Sequence, residues 1–162
     1  MLFVIRHARR EVVRFAVTTN PTAAWVAQLR ETFLFVSAPR FLIFARDAIF
    51  SAAVTATVRS TPVEPTRTSF RSPWQNGAAE RFVATARREL LDHVIVLHEH
   101  HPRRLLDSFV DYYNRDRTHF GVGKDSPLGR PVEQGPGGVT SNVVSLPRVG
   151  GLHHRYTWRQ AA

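Results

Sequence analysis

The residue types that could do chemistry are gathered in the run 72–92, SPWQNGAAERFVATARRELLD. Pro73 and Asn76-Gly77 read as a turn that opens a helix. Ala78, Ala79, Phe82, Val83, Ala86 and Leu90 then fall on one arc at helical spacing, which predicts a packed face. Glu80 and Arg87 lie seven apart, close to two full turns, and share a strip at the edge of that face. Arg81 and Arg88 repeat the spacing on the wet side. The helix thus carries one early carboxylate with guanidiniums beneath and beside it. Read by itself, this is an amphipathic helix whose internal charge pairs are worth a few tenths of a kcal/mol each.

Other constellations fail on spacing. His98-Glu99-His100-His101 lacks the second histidine that a zinc-protease helix needs, because Pro102 stands there; it reads as a solvated loop or a helix start. A phosphate loop at 121–126 would need its first glycine at Thr118 and a strand before it. No nucleophile elbow is present. There is no cysteine, which removes disulfides and thiolate metal sites.

The elements that must position Glu80 can be read in order. Leu2 to Ile5 and Val12 to Val17 are apolar, β-branched runs joined by the basic turn His7-Ala8-Arg9-Arg10, which predicts an antiparallel pair. Asn20 and Pro21 open a helix with Trp25, Val26, Leu29 and Phe33 on its apolar face. Phe41 to Phe44 is wholly apolar, as a central buried strand would be. Ala48-Ile49-Phe50 reads as the start of a short helix that runs through Val58. Thr61 to Thr68 reads as an edge strand, because Pro62 and Pro65 remove ladder donors. After the Glu80 helix, a second long helix from about Glu99 to Tyr113 carries the stripe Leu105, Leu106, Phe109, Val110 and Tyr113. The order strand, strand, helix, strand, helix, strand, helix, helix is a mixed α/β layout. From Gly121 the texture changes, since eight of the nine glycines lie between Gly121 and Gly151; this predicts an extended tail over 121–162 behind a domain at 1–120.

Three runs carry a resemblance: S-P-W-Q-N-G-x-x-E-R-F, then R-R-E-L-L-D-H-V-I-V-L, then Y-Y-N-R-x-R-T-H-F. They resemble the catalytic core of DDE transposases and retroviral-type integrases, with bacterial insertion-sequence transposases most alike. The likeness runs from about Leu2 to Tyr156. It implies a ribonuclease H-like mixed sheet flanked by helices, an ancestral function in DNA integration, and Mg²⁺ or Mn²⁺ held by three carboxylates. Glu80 corresponds to the last of the three, and Arg87 to the basic residue seven further on. The second aspartate belongs just after the central strand, about 35 residues earlier, in a segment like L-R-D-R-D-x-I-Y-G. Here that segment reads Ile43 to Ser51, so Ala45 takes the aspartate's place and Asp47 matches the accessory acid. The strand that carries the first aspartate would precede Leu2, so the expected fold lacks its first strand.

Asp47 is a weak substitute. A shift of two residues along an extended strand moves a carboxylate by about 6–7 Å, and Mg²⁺ holds its oxygens at about 2.0–2.1 Å. Asp47 and Glu80 alone make a poor two-metal clamp, so a catalytically defective remnant is expected. From another class, the alternatives are a non-catalytic DNA-binding or transposase-assembly module, or a product without selected role.

Charge points to the same partner. Lys plus Arg is 22 against 13 acids, a net +9, with a pI near 11.4. Such a balance suits a polyanion. Lys124 is the sole lysine, and arginine's planar fork fits phosphate. Arg81, Arg87, Arg88, Arg115 and Arg117 fall on or beside the two long helices and are the candidate DNA contacts, made to phosphates rather than bases. A homo- or hetero-oligomer with transposase is the other partner that the resemblance implies. No apolar run approaches the about 18 residues of a membrane span, and no signal peptide is evident, so a cytoplasmic protein without membrane contact is the expectation.

Overall fold

In the computed structural model, which describes residues 1–33, 38–96, 98, 100–135 and 141–160, the element order is the expected one with a further strand pair at its end. The elements are β1 (Leu2–Arg6), β2 (Glu11–Ala16), α1 (Ala23–Ala27), β3 (Phe41–Phe44), α2 (Ala52–Arg59), β4 (Glu64–Arg67), α3 (Gly77–Glu89), α4 (His100–Arg115), β5 (Ser141–Arg148) and β6 (His153–Gln160). Two compact units contain them: Met1–Ile5 with Val12–Ala84, and Arg6–Glu11 with Thr85–Ala162. The mixed α/β layout holds. The hydrogen-bonded strands among the described residues are three pairs, β1 with β2, β3 with β4, and β5 with β6. No helix among the described residues is long and apolar enough to cross a membrane.

In the first unit, Val4, Val26, Leu29 and Val54 are buried together, with Leu2, Val13, Trp25 and Leu42 packed against them. The helical face expected around Trp25 is therefore largely in place; the side chain of Phe33 lies outside the described residues. The cap differs. Thr22, not Asn20, closes the helix start, its Oγ1 accepting the Trp25 N–H at 3.1 Å. Pro21 lies ahead of it, and α1 passes after five residues into a 3-10 turn over Gln28–Phe33.

β3 corrects another expectation. It pairs in parallel with β4, Phe41 opposite Glu64 and Phe44 opposite Arg67. Phe44 is buried, but Phe41 and Ile43 are 44% and 46% exposed. The strand alternates instead of burying both faces, because a two-stranded pair has a single covered side. The strand is shorter than Thr61 to Thr68, running Glu64–Arg67, so Pro62 lies in the turn before it and only Pro65 fits the edge reading. Glu64 donates to Arg40 O at 2.9 Å and Thr68 to Phe44 O at 3.1 Å. Donors toward β3 thus come from even-numbered residues, and the N–H that Pro65 lacks would point away from the ladder.

In the second unit, α4 buries Leu106, Phe109 and Tyr113, three of the five expected stripe residues, and adds Pro102 and Asn114. Leu105 and Val110 are half-buried. The expected start at Glu99 lies outside the described residues, and His100 and His101 belong to the helix itself. The closing segment, expected as part of an extended tail, is a strand. β6 pairs antiparallel with β5 over eight residues, Ser141 opposite Gln160 and Arg148 opposite His153. The tail region from Gly121 therefore contains an ordered hairpin. Charge anchors it within this unit. Arg148 pairs with Asp111 and, at 2.8 Å, with Asp116; Glu133 accepts from Arg130 at 3.0 Å, Arg155 at 3.1 Å and the Thr157 hydroxyl at 2.5 Å. Those donors hold the Glu133 carboxyl down at about 2, below its ordinary 4.5. The basic turn 7–10 is also structural: Arg9 donates to Asp125 at 2.7 Å and to the carbonyls of Ser126 and Pro127 at 2.7 and 2.8 Å.

Candidate functional site

Residues 73–76 form one 3-10 turn and α3 starts at Gly77, so the predicted turn-to-helix switch is present. Gln75 fixes it. Its Oε1 accepts the Ser69 N–H at 2.6 Å and its Nε2 donates to Ser69 Oγ at 3.3 Å, tying the exit of β4 to the helix entry. Sequence reading gave Gln75 no such role. Glu80 then stands exposed in the first turn of α3, where the helix dipole favours a negative charge. It has no ion pair among the described residues.

The packed face of α3 is narrower than its spacing predicts. Phe82, Ala86 and Leu90 are buried, joined by Thr85; Ala78 and Ala79 are half-buried, and Val83 is 50% exposed. Val83 falls off the arc because 3.6-residue spacing carries it toward the Glu80 side. Phe82 meets Phe3 edge-on, ring centroids 4.8 Å apart, within the first unit.

The segment after β3 is closed on itself. Asp47 is exposed, and its Oδ1 accepts the Ile49 N–H at 3.0 Å while its carbonyl accepts from Phe50 at 3.0 Å, a side-chain-stabilised turn into α2. Arg46 Nε donates to Thr68 O at 2.8 Å, and Arg67 donates to the Phe50 carbonyl. Phe44 and Phe50, both departures from the transposase-like pattern, stack on one another at 5.1 Å. Ala45 offers no ligand atom on its side chain. Among the described residues no group of three or more His, Asp or Glu side chains could hold a metal ion. With Asp47 Oδ1 engaged in its turn and Ala45 inert, the residues present do not fit a two-metal clamp.

The five candidate DNA contacts divide. Arg117 makes a two-pronged pair with Glu89, Nε to Oε2 at 2.8 Å and Nη2 to Oε1 at 2.6 Å, which raises the guanidinium's pKa further. Arg115 pairs with Asp111 one turn back at 2.7 Å. Arg87 has only a loose, exposed contact with Asp92 at 3.6 Å. Arg81 and Arg88 are exposed and carry no ion pair among the described residues. Glu89 as the partner of Arg117 left no trace in the sequence, since 28 residues separate the two.

Residues 61–127 match the family model of the integrase core domain. Over those residues the chain is similar to an integrase core. That segment holds β4, the Gln75 turn, Glu80 and both long helices, whereas Ala45, Asp47 and the β5–β6 hairpin lie outside it. No curated protein matches the chain significantly. That likeness suggests, at family level, DNA integration and recombination.

At the end of the integrase core segment sits a buried histidine with a pH consequence. His119 is 6% exposed; its Nδ1 accepts from Arg117 Nη1 at 3.2 Å, and its ring meets Tyr113 edge-on at 4.6 Å. Burial first, then the charge of Arg117, lowers its pKa from 6.5 to about 4; Arg10 adds to the fall, and Glu89 and a hydrogen bond to the Tyr113 backbone oppose it. The unfolded chain therefore binds the proton more readily. His119's contribution to stability is complete above pH 6.5 and drains away as pH falls toward about 4. Thermal melting from pH 7 to 4 should show a falling Tm over that window, and His119→Gln should flatten the fall. An equal slope in the variant would remove His119 as its source.

Proposed function

We propose that this chain is an integrase-core protein of the insertion-sequence transposase kind that holds DNA by its phosphates and breaks no strand by itself. The observation that carries the reading is the contrast between the α3 region and the segment after β3. The turn, Glu80 and the free guanidiniums of Arg81 and Arg88 are present, while the position expected to hold the neighbouring carboxylate is Ala45. A net charge of +9 supports the polyanion half of the proposal. The ribonuclease H-like fold is the finer architecture proposed with it, with 1–120 as the core and 121–162 as its appendage. Multimers with an intact transposase are the setting in which such a defective copy would act. Mg²⁺ or Mn²⁺ would come to such multimers through the partner's complete site.

The test is Mn²⁺-dependent nicking of supercoiled plasmid by three proteins: the unmodified chain, Ala45→Asp, and an upstream-extended Ala45→Asp chain, each with and without Glu80→Ala. Nicking is expected only from the extended, repaired protein, and Glu80→Ala should abolish it. Nicking by the unmodified chain that depends on Glu80 would overturn the proposal. Binding is tested separately by titration against salt. Replacing Arg81 and Arg88 by Glu should reduce the log–log salt slope by about 2, roughly 0.9 for each phosphate no longer neutralised.

A further inference from the structure

The second unit contains a cleft of about 290 Å³ between the 124–133 loop and the β5–β6 hairpin. Its walls and floor differ in chemistry. Tyr156 and Trp158 form an aromatic wall, 59% and 42% exposed, on alternate residues of β6 and therefore on one face of the ribbon. The apolar Val132, 90% exposed, also lines the cleft, and Val143, Trp158's cross-strand partner, extends the wall on the same face of the ribbon. Gly135 backs the Trp158 ring so closely that a Cβ there would lie 3.2 Å from its ring carbons.

The floor is polar and incompletely satisfied. Ser126 is 1% exposed, and its Oγ has no hydrogen-bond partner. Asp116 is 7% exposed, and neither carboxylate oxygen accepts a hydrogen bond of good geometry. Arg148 Nε lies 2.8 Å from Oδ2 and Arg155 Nη1 3.5 Å from Oδ1, so the charge is balanced while acceptor capacity stays open. A buried hydroxyl and carboxylate without hydrogen bonds are costly to keep unless something else meets them. Lys124 also lines the cleft, held with φ at 62° and without an ion pair among the described residues.

We propose that this cleft takes an unpaired base of single-stranded DNA, stacked on Tyr156 and Trp158, with its polar edge toward Ser126 and Asp116 and its phosphate toward Lys124. A base is the ligand whose chemistry has both halves: a neutral π face for the aromatic wall, and an edge of N–H and carbonyl groups for a floor that offers an acceptor and a hydroxyl. The proposal rests on the DNA-binding reading above and names the form of DNA that this second surface selects.

Fluorescence anisotropy with the whole chain tests it, using a labelled single strand, the same strand with abasic sites, and a duplex of equal length. The intact single strand should bind about 5- to 100-fold more tightly than the abasic one, the range expected for one stacked base. Trp158→Ala and Tyr156→Ala change exposed side chains, and each should remove most of that preference while leaving duplex affinity unchanged. Equal binding of the intact and abasic strands, or a preference that survives both substitutions, would overturn the base cleft and leave phosphate binding standing. Failure to bind any of the three would overturn both readings together.

Discussion

Phe109→Ala should lower the unfolding free energy by about 3–5 kcal/mol, the range for truncating a buried phenylalanine. Phe109 is 0% exposed at the middle of α4, with the rings of Tyr113 and His153 at 6.3 and 5.9 Å. His153 in turn stacks on Tyr112 at 4.5 Å, and its Nε2 donates to the carbonyl of Glu89 at 2.8 Å. Removing the ring opens a cavity where α4 meets the start of β6 in the second unit. A domain of this size is stable by about 5–15 kcal/mol, so the loss is a large share of the whole. Denaturant unfolding followed by circular dichroism measures it, with Phe120→Ala as the control. Phe120 is 90% exposed, and its loss should change stability by less than about 0.5 kcal/mol. Equal costs at the two positions would show that α4 does not pack as described.

Arg117→Met should cost about 2–3 kcal/mol. The side chains of Arg117 and Glu89 are 25% and 28% exposed, so the pair sits between a surface bridge and a buried one. Loss of the guanidinium strands a carboxylate that has two charge-assisted hydrogen bonds in the native protein. It also removes the donor to His119 Nδ1. Arg117→Met combined with Glu89→Leu should recover most of the loss, because the orphaned charge goes with its partner. The same variants separate a structural role from DNA contact. If Arg117 is committed to Glu89, the salt slope of DNA binding should be unchanged in Arg117→Met. A slope that drops as it should for Arg81 and Arg88 would return Arg117 to the DNA surface.

What was legible in the sequence was local. Periodicity located α3 and α4, and the turn residues Asn76-Gly77 marked where α3 begins, because backbone preference acts within a few residues. The likeness between 72 and 119 pointed to an integrase core, and the family match over 61–127 agrees with it. Glu80, Arg81 and Arg88 lie exposed on one helix, where spacing alone decides the face.

Beyond that range the fold decided. Phe41 and Ile43 read as core because they are apolar, yet exposure depends on how many faces a strand pair has covered. Arg117 read as a DNA contact because it is basic, yet it meets a glutamate 28 positions earlier. The cleft lined by Ser126, Asp116 and Trp158 has no local signature, since its walls come from a loop and a hairpin far apart in the chain. The sequence by itself determined the two long helices, the charge and the integrase likeness, all of which rest on residue type and short spacing. Tertiary structure alone decided which charges are free and which are paired, because an ion pair depends on distance in space, and only folding brings those partners together.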